Sequence, residues 1–220
     1  MNTRMLNFLK AFITYFLLTL GAAVIVVPLF WMVSTSLKGS DALFTYPPEW
    51  IPRPAMWSNY IEAWKMLPFG RFLFNTLFIT VLAMVAELLT SSLVAYGFAR
   101  FQFKGRDTLF FILLATMMLP GVVTMIPAFL IWSKLGQIDT FDPLTIGAWF
   151  AWGPAYIFMM RQFFLTIPKE MEEAAVIDGA NVAQIYWHIM LPLIRPALLA
   201  IGVLSFQGNW NNFQAPLIYL

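Results

Sequence analysis

The side chains that could carry chemistry in this sequence of 220 residues fall in three places. The first is an acidic group in the segment TIPKEMEEAAVIDGAN: Glu170, Glu172, Glu173 and Asp178. The second is Glu87, the one charged residue between Phe72 and Ala99. The third is a polar stretch in the segment GNWNNFQAP: Asn209, Trp210, Asn211, Asn212 and Gln214. Each place suggests a different function: the acidic group could dock a partner protein, Glu87 could bind or carry an ion, and the polar stretch could bind a hydroxyl-rich ligand.

These groups do not meet the requirements of an enzyme. Acid–base or nucleophilic catalysis needs positioned His, Cys or carboxylate groups, and the sequence has no Cys and a single histidine, His188. It contains neither a metal-ligand cluster nor a G-x-x-x-x-G-K-[ST] phosphate loop. The net charge of +2 is too small and scattered to indicate nucleic acid as a partner. We therefore predict a protein that is not an enzyme and holds no metal or cofactor of its own.

The residues alone leave the role of Glu87 and of the polar stretch open. An ionised carboxylate at mid-bilayer costs ~2.5–3.5 kcal/mol on insertion scales, so Glu87 should face the bundle interior or water, or be protonated. Amides and an indole suit a sugar, but amides also join transmembrane helices, at about 0.6 kcal/mol per contact. A substrate path and a structural role are both consistent. The candidate path residues are Glu87, Asn209, Trp210, Asn211 and Asn212.

The elements that carry these groups are long apolar runs. Hydrophobic residues make up 60% of the chain and charged residues 11%, which is too little charge to cover a soluble domain. A helix needs roughly 20 apolar residues to cross a bilayer core. We predict an all-α, polytopic membrane protein with a single transmembrane domain over residues 1–220. The predicted spans cover residues 11–36, 72–98, 108–132, 143–162 and 197–219.

The distribution of basic residues indicates the orientation. Lys and Arg in short loops favour the cytoplasm, and the segment ARFQFKGR, with Arg100, Lys104 and Arg106, falls inside if the N-terminus, with Arg4 and Lys10, is inside. The N-terminus is therefore predicted to be cytoplasmic, and so is the acidic loop at residues 164–195.

Proline and glycine predict interruptions in two regions. In MMLPGVVTMIP, residues Pro120, Gly121 and Pro127 predict a kinked or partly unwound third span. In the acidic loop, a helix capped by Thr166 with Pro168 in its first turn is expected to reach a corner at Gly179. A second helix follows from residue 182 to residue 190 and is expected to stop at Pro192. The alanines after the acids should make a small, flat surface for a partner.

The acidic loop resembles the "EAA" signature of the permeases of ABC importers. The matching residues are Glu173-Ala174-Ala175, Gly179, Ile189 and Leu191-Pro192. Further segments resemble the carbohydrate-uptake, maltose-type subgroup of this family: YPPEWIPRPAMWSNYIEAW, AYGFARFQFKGRDTLFFILLATMMLPGVVTMIPAFLIWSKLG, FMMRQFFLTIPKEMEEAAVIDGAN and SFQGNWNNFQAPLIYL.

The resemblance implies the fold of a type I importer transmembrane domain and a subunit of an ATP-driven sugar uptake system in the cell (inner) membrane. The implied partners are a second homologous permease, two ATP-binding subunits that hold ATP and Mg, and an extracytoplasmic sugar-binding protein. The residues implied to couple to the ATPase are Glu173, Ala174, Ala175, Asp178 and Gly179. Family members have six spans, so the last one is expected to be missing here. An ion-coupled secondary transporter, based on Glu87, is the alternative.

Overall fold

A computed structural model describes residues 3–220, so that residues 1 and 2 of the predicted domain and the side chain of Arg4 lie outside the described residues. All regular structure in the described part is helical, which confirms the all-α prediction. The chain divides into two compact units, Met1–Arg71 and Phe72–Leu220.

The first unit consists of a long apolar helix and a loop folded on itself. Helix α1 covers Thr3–Ser36, a 3₁₀ turn follows at Ser40–Ala42, and α2 covers Ser58–Met66. The amide of Asn59 on α2 donates hydrogen bonds to the carbonyls of Ser36 (3.0 Å) and Lys38 (2.8 Å). The Lys38 ammonium lies 4.0 Å from the ring centroid of Trp31. The two hydrogen bonds of Asn59 satisfy backbone carbonyls at and just after the end of α1 that have no partner within the helix.

The second unit contains the remaining helices, the first of which begins three residues before the unit does. Their bounds are α3 Phe69–Arg100, α4 Arg106–Thr116, α5 Gly121–Lys134, α6 Asp142–Thr145 with a 3₁₀ extension Ile146–Phe150, α7 Pro154–Thr166, α8 Glu170–Ile177, α9 Val182–Leu193, α10 Arg195–Trp210 and α11 Gln214–Tyr219.

The core of this unit forms where α3 packs against α7, α9 and α10. Small residues on α3, such as Ala95 and Ala99, let the neighbouring helices approach closely. The ring of Tyr96 lies 5.5 Å from that of Phe164 and 5.4 Å from that of Tyr186. The hydroxyl of Tyr186 forms a buried hydrogen bond of 2.6 Å with Ser92 Oγ. The buried hydroxyls of Tyr186 and Ser92 are therefore paired with each other inside the core.

The long apolar helices match some of the predicted spans and divide others. In the part of the chain that the structure describes, two helices are continuous and long enough to cross a membrane, Asn7–Ser36 within α1 and Phe69–Arg100. Two helix pairs would serve as bent spans: α4 with α5, at 95°, and α9 with α10, at 76°. The predicted span 143–162 is not one helix, because Ala151 adopts φ 54° and separates the 3₁₀ segment from α7. The count of five spans stays a prediction.

Prolines explain the breaks, although not each at the predicted residue. The third span is interrupted between Thr116 and Gly121, next to Pro120, as predicted, whereas Pro127 lies inside α5 without ending it. The predicted stop at Pro192 is wrong, since α9 continues to Leu193. A π-helical turn at Tyr186–Met190 widens the helix ahead of Pro192 and relieves the clash between its ring and the preceding turn. The chain bends instead at Ile194, just before α10 begins at Arg195, and Pro196 lies in the first turn of α10.

Candidate functional site

The acidic segment folds as a separate short helix, α8, rather than as the start of a longer one. Glu170, Glu172 and Glu173 occupy its first turn, where each negative charge is favoured by the helix dipole by about 0.3–1 kcal/mol. The predicted cap at Thr166 is wrong. Thr166 ends α7, and its hydroxyl donates to the carbonyl of Phe163 at 2.7 Å. It therefore satisfies a group at the end of α7 and is not available to α8.

The corner at Gly179 is present as predicted. Gly179 has φ +83°, a conformation that favours glycine, and no atom lies within 4 Å of the position a Cβ would take. The next helix starts at once, because Asn181 and Gln184 form a capping box in which each side chain accepts a backbone N–H of the other, at 2.9 and 2.8 Å. The backbone conformation, rather than crowding, therefore accounts for this glycine.

The two alanines of the EAA sequence lie on different sides of α8. Ala175 is buried in the core with 6% of its surface exposed, so the expectation that both alanines form an open surface is wrong for this residue. The methyl group of Ala175 belongs to the core and attaches α8 to the helix bundle. The exposed residues from Glu173 to the corner, which we call the α8 surface, are Glu173, Ala174, Val176, Ile177, Asp178 and Gly179. Ile177 is 85% exposed.

An arginine at the end of α3 joins α8 to the bundle. Arg100 Nη2 donates to the carbonyl of Ile167, in the link between α7 and α8, at 2.7 Å. Its Nε lies 3.3 Å from Glu172 Oε1 in an ion pair that lacks hydrogen-bond geometry. Only 4% of the Arg100 side chain and 19% of the Glu172 side chain are exposed. Because the pair is largely shielded from water, it fixes the position of α8 more firmly than a surface pair would.

A cavity of about 390 Å³ lies in the second unit, between α3, α5, α6 with its 3₁₀ extension, the end of α10, and α11. Its lining includes the predicted path residues Glu87, Asn209 and Asn212. Two other predicted path residues, Trp210 and Asn211, are not part of the lining. Trp210 stacks on Phe206 at 5.5 Å, and the amide of Asn211 donates to the carbonyl of Gln207 at 2.9 Å. The polar stretch is therefore divided between the cavity and contacts within its own helix.

Glu87 is held at the cavity wall by a serine. Ser205, which is fully buried on α10, donates its hydroxyl to Glu87 Oε2 at 2.5 Å. Asn209, one turn further along α10, donates its amide to the carbonyl of Ser205 at 3.0 Å. Glu87 therefore both joins two helices and lines a cavity, so the two interpretations of this residue are compatible.

Sequence reasoning missed the residues that α5 and the 3₁₀ segment contribute to the cavity. The lining residues on α5 are Gly121, Thr124, Met125, Ala128 and Trp132. Their spacing of three and four residues places them on a single helical face, which could have been predicted from the sequence. Trp152 also lines the cavity, but no spacing predicts it because it follows the break at Ala151. In the described residues, no group of three His, Cys, Asp or Glu side chains could hold a metal ion.

Comparisons with known proteins agree with this architecture. Residues 87–220 match the family model described as "Binding-protein-dependent transport system inner membrane component". The diacetylchitobiose uptake system permease protein NgcG of Streptomyces coelicolor is 30% identical over 208 residues, which cover 94% of this chain and 68% of the relative. The sn-glycerol-3-phosphate transport system permease protein UgpE of Yersinia enterocolitica is 31% identical, covering 92% and 73%.

A third relative and a solved structure extend the comparison. The arabinooligosaccharides transport system permease protein AraQ of Halalkalibacterium halodurans is 38% identical over 146 residues, 66% of this chain and 52% of the relative. The crystal structure of a bacterial ABC transporter involved in the import of the acidic polysaccharide alginate matches with a TM-score of 0.79 and 29% identity, covering 96% of this chain and 74% of that chain. The ion-coupled alternative finds no support among these proteins. The chain therefore belongs to the family of inner membrane components of binding-protein-dependent transport systems, as a permease subunit of the ABC-importer type.

Proposed function

We propose that this permease is a membrane-spanning subunit of an ATP-driven sugar uptake system and that the α8 surface receives the force of ATP hydrolysis. The observation that carries this proposal is the two-sided character of α8. One side is buried in the core through Ala175, while Glu173, Ala174 and Ile177 are exposed. Val176 and Ile177 are both exposed, and the carboxylates of Glu173 and Asp178 lie beside them in the sequence, so the α8 surface combines apolar and charged groups as protein-binding surfaces do.

The proposal includes the partners that such a subunit needs. A second homologous permease completes the translocation path, two ATP-binding subunits hold ATP and Mg, and an extracytoplasmic sugar-binding protein delivers the substrate. The chain itself has no phosphate-binding loop, which supports placing ATP on other subunits. The N-terminus and α8 are then cytoplasmic in a multi-pass inner-membrane protein, in keeping with the basic segment around Arg100.

Sugar as the substrate is supported by relatives and by the chemistry of the cavity. Two of the relatives are named for diacetylchitobiose and arabinooligosaccharides. The cavity offers the amides of Asn209 and Asn212, which can donate and accept, and the aromatic faces of Trp132 and Trp152. Hydroxyl groups on the rim of a sugar ring match the amides, and the apolar C–H faces of the ring match the indoles.

In this mechanism, α3 transmits movement of α8 toward the cavity. Arg100, at the end of α3, contacts both Glu172 and the carbonyl of Ile167. Glu87 lies 13 residues earlier on the same helix, which corresponds to about 20 Å at the rise of an α-helix. A displacement of α8 would therefore reach the Glu87–Ser205 contact through one continuous helix.

The test is co-purification of the ATP-binding subunit with this permease in mild detergent. We expect Glu173→Lys and Gly179→Asp to abolish the complex, because the first reverses a charge on the α8 surface and the second adds a side chain and a charge at the corner. Glu62→Lys, the same charge reversal on the exposed helix α2, is the matched control and should bind normally. Retained binding of both α8 variants, with unchanged sugar-stimulated ATPase activity, would contradict the proposal.

A further inference from the structure

The cavity carries a single formal charge. Among the described residues that line it, Glu87 is the only Asp, Glu, Lys or Arg. Ion pairs in the described part of the chain join Arg100 to Glu172 and Arg106 to Asp107, and neither involves Glu87. The sequence also places no basic residue between Arg71 and Arg100, on either side of Glu87 along α3. The carboxylate therefore has no counter-charge within about 20 Å along its own helix, the distance that 13 residues span at the rise of an α-helix, and none in the cavity lining that the structure describes.

The contact that Glu87 makes does not cancel its charge. The Ser205 hydroxyl donates a hydrogen bond of 2.5 Å to Oε2, which favours the carboxylate as an acceptor but brings no positive charge. A cavity with one sign of charge and apolar walls concentrates the electric field inside it and changes the local concentration of ions. Cations should be enriched in this cavity and anions depleted.

We propose that the Glu87 cavity admits uncharged and cationic hydroxyl-rich solutes and excludes anionic ones, and that Glu87 is the residue that sets this preference. The inference rests on the proposed function, in which the cavity lies on the substrate path. Thr124, Asn212 and Gln214 supply neutral hydrogen-bonding groups, and Trp132 and Trp152 supply faces that suit either a sugar ring or an ammonium group. Carboxylated or phosphorylated sugars meet only repulsion from the formal charge in this lining.

Family membership does not decide this preference. The relatives include proteins named for a glycerol phosphate and for an acidic polysaccharide as well as for neutral or N-acetylated sugars. The charge preference of this cavity is therefore inferred from its own lining residues.

The absence of cysteine allows a direct test of charge selectivity in the assembled transporter. Thr124→Cys places a single thiol in the cavity wall. In opened membranes that contain the complete complex, its modification rate is measured with two methanethiosulfonate reagents, a trimethylammonium ethyl cation and a sulfonatoethyl anion. The ratio of the two rates is compared with that at Thr45→Cys, an exposed loop position in the first unit that corrects for intrinsic reactivity. Glu87→Gln and Glu87→Asp are then added to Thr124→Cys.

We expect the corrected cation-to-anion ratio to favour the cation at least about tenfold, to fall by about tenfold with Glu87→Gln, and to be retained with Glu87→Asp. An equal ratio in the presence and absence of the carboxylate would overturn the inference. A thiol that neither reagent reaches would also overturn it, because the cavity would then admit no charged solute at all. Loss of ATP-driven sugar uptake is measured separately, so that failure of the proposed function is distinguished from failure of the charge preference.

Discussion

Replacing Arg100 by glutamine removes a guanidinium that is almost completely buried and leaves its partner Glu172 behind. Breaking a buried ion pair on one side costs about 3–5 kcal/mol, because the remaining charge has no partner. Glu172 keeps 19% of its side-chain surface in contact with solvent, which reduces this cost. The hydrogen bond to the carbonyl of Ile167 is also lost, and bonds to charged groups contribute about 1.5–3 kcal/mol. Since the two terms are not additive, we expect a loss of about 3 kcal/mol.

The measurement is reversible denaturation of the permease in detergent micelles, followed by tryptophan fluorescence. Lys104→Gln is the matched control, since it removes an exposed positive charge four residues away and should cost less than about 0.5 kcal/mol. Glu172→Gln and the double variant complete a mutant cycle, in which the double variant should cost less than the sum of the single ones by at least about 1 kcal/mol. Strict additivity, or equal stability of Arg100→Gln and the control, would refute the reasoning about the buried pair.

Three further changes follow from the same contacts. Gly179→Ala should destabilise the protein by about 1–2 kcal/mol through the positive φ alone, since no atom crowds that position; denaturation by heat shows this, and no effect would mean that the corner relaxes. Ser205→Ala removes the hydroxyl that donates to Glu87 and should lower the free energy of unfolding by about 1–3 kcal/mol in the same denaturation experiment. Ser205→Thr keeps the hydroxyl and should lower it by less; an equal loss in both variants would contradict a role of the hydrogen bond. Ala175→Leu should destabilise the protein by about 1–3 kcal/mol because its site is buried. Ala174→Leu should leave stability unchanged and weaken co-purification with the ATP-binding subunit. A stable Ala175→Leu together with a destabilised Ala174→Leu would contradict the assignment of one buried and one exposed side to α8.

Local features could be predicted from the sequence wherever one residue dominates. The corner at Gly179 and the interruption at Pro120 follow from backbone preferences that no tertiary contact needs to supply. The stop at Pro192 was wrong because a π-helical turn absorbs the missing hydrogen bond, and such turns have no sequence signature as strong as a proline. The break at Ala151 has only the following glycine and proline as a signal, and the apolar run conceals it.

In the candidate sites, too, contacts between residues that are far apart in sequence could not be predicted. Helical periodicity does not bring Asn209 and Asn212 together, because α10 ends at Trp210; the backbone N–H of Asn212 donates to the carbonyl of Asn209 at 3.2 Å in the turn that follows the helix. The pairing of Arg100 with Glu172 and of Glu87 with Ser205 could not be predicted, since the partners are far apart in sequence and meet only after the helices have packed.

The continuity of α3 is what makes these two pairs relevant to each other. Kinks in helices have identifiable causes, chiefly proline and π-turns, and α1, α5 and the α9–α10 pair each contain one of them. Helix α3 contains no proline over its 32 residues, and it carries Glu87 and Arg100 on faces that differ by roughly 140° at 100° per residue. One face therefore engages α10 and another engages α8. In the proposed mechanism, a movement imposed on α8 turns or tilts α3 as a rigid body and changes the cavity wall at Glu87, without requiring any of the bent helices to straighten.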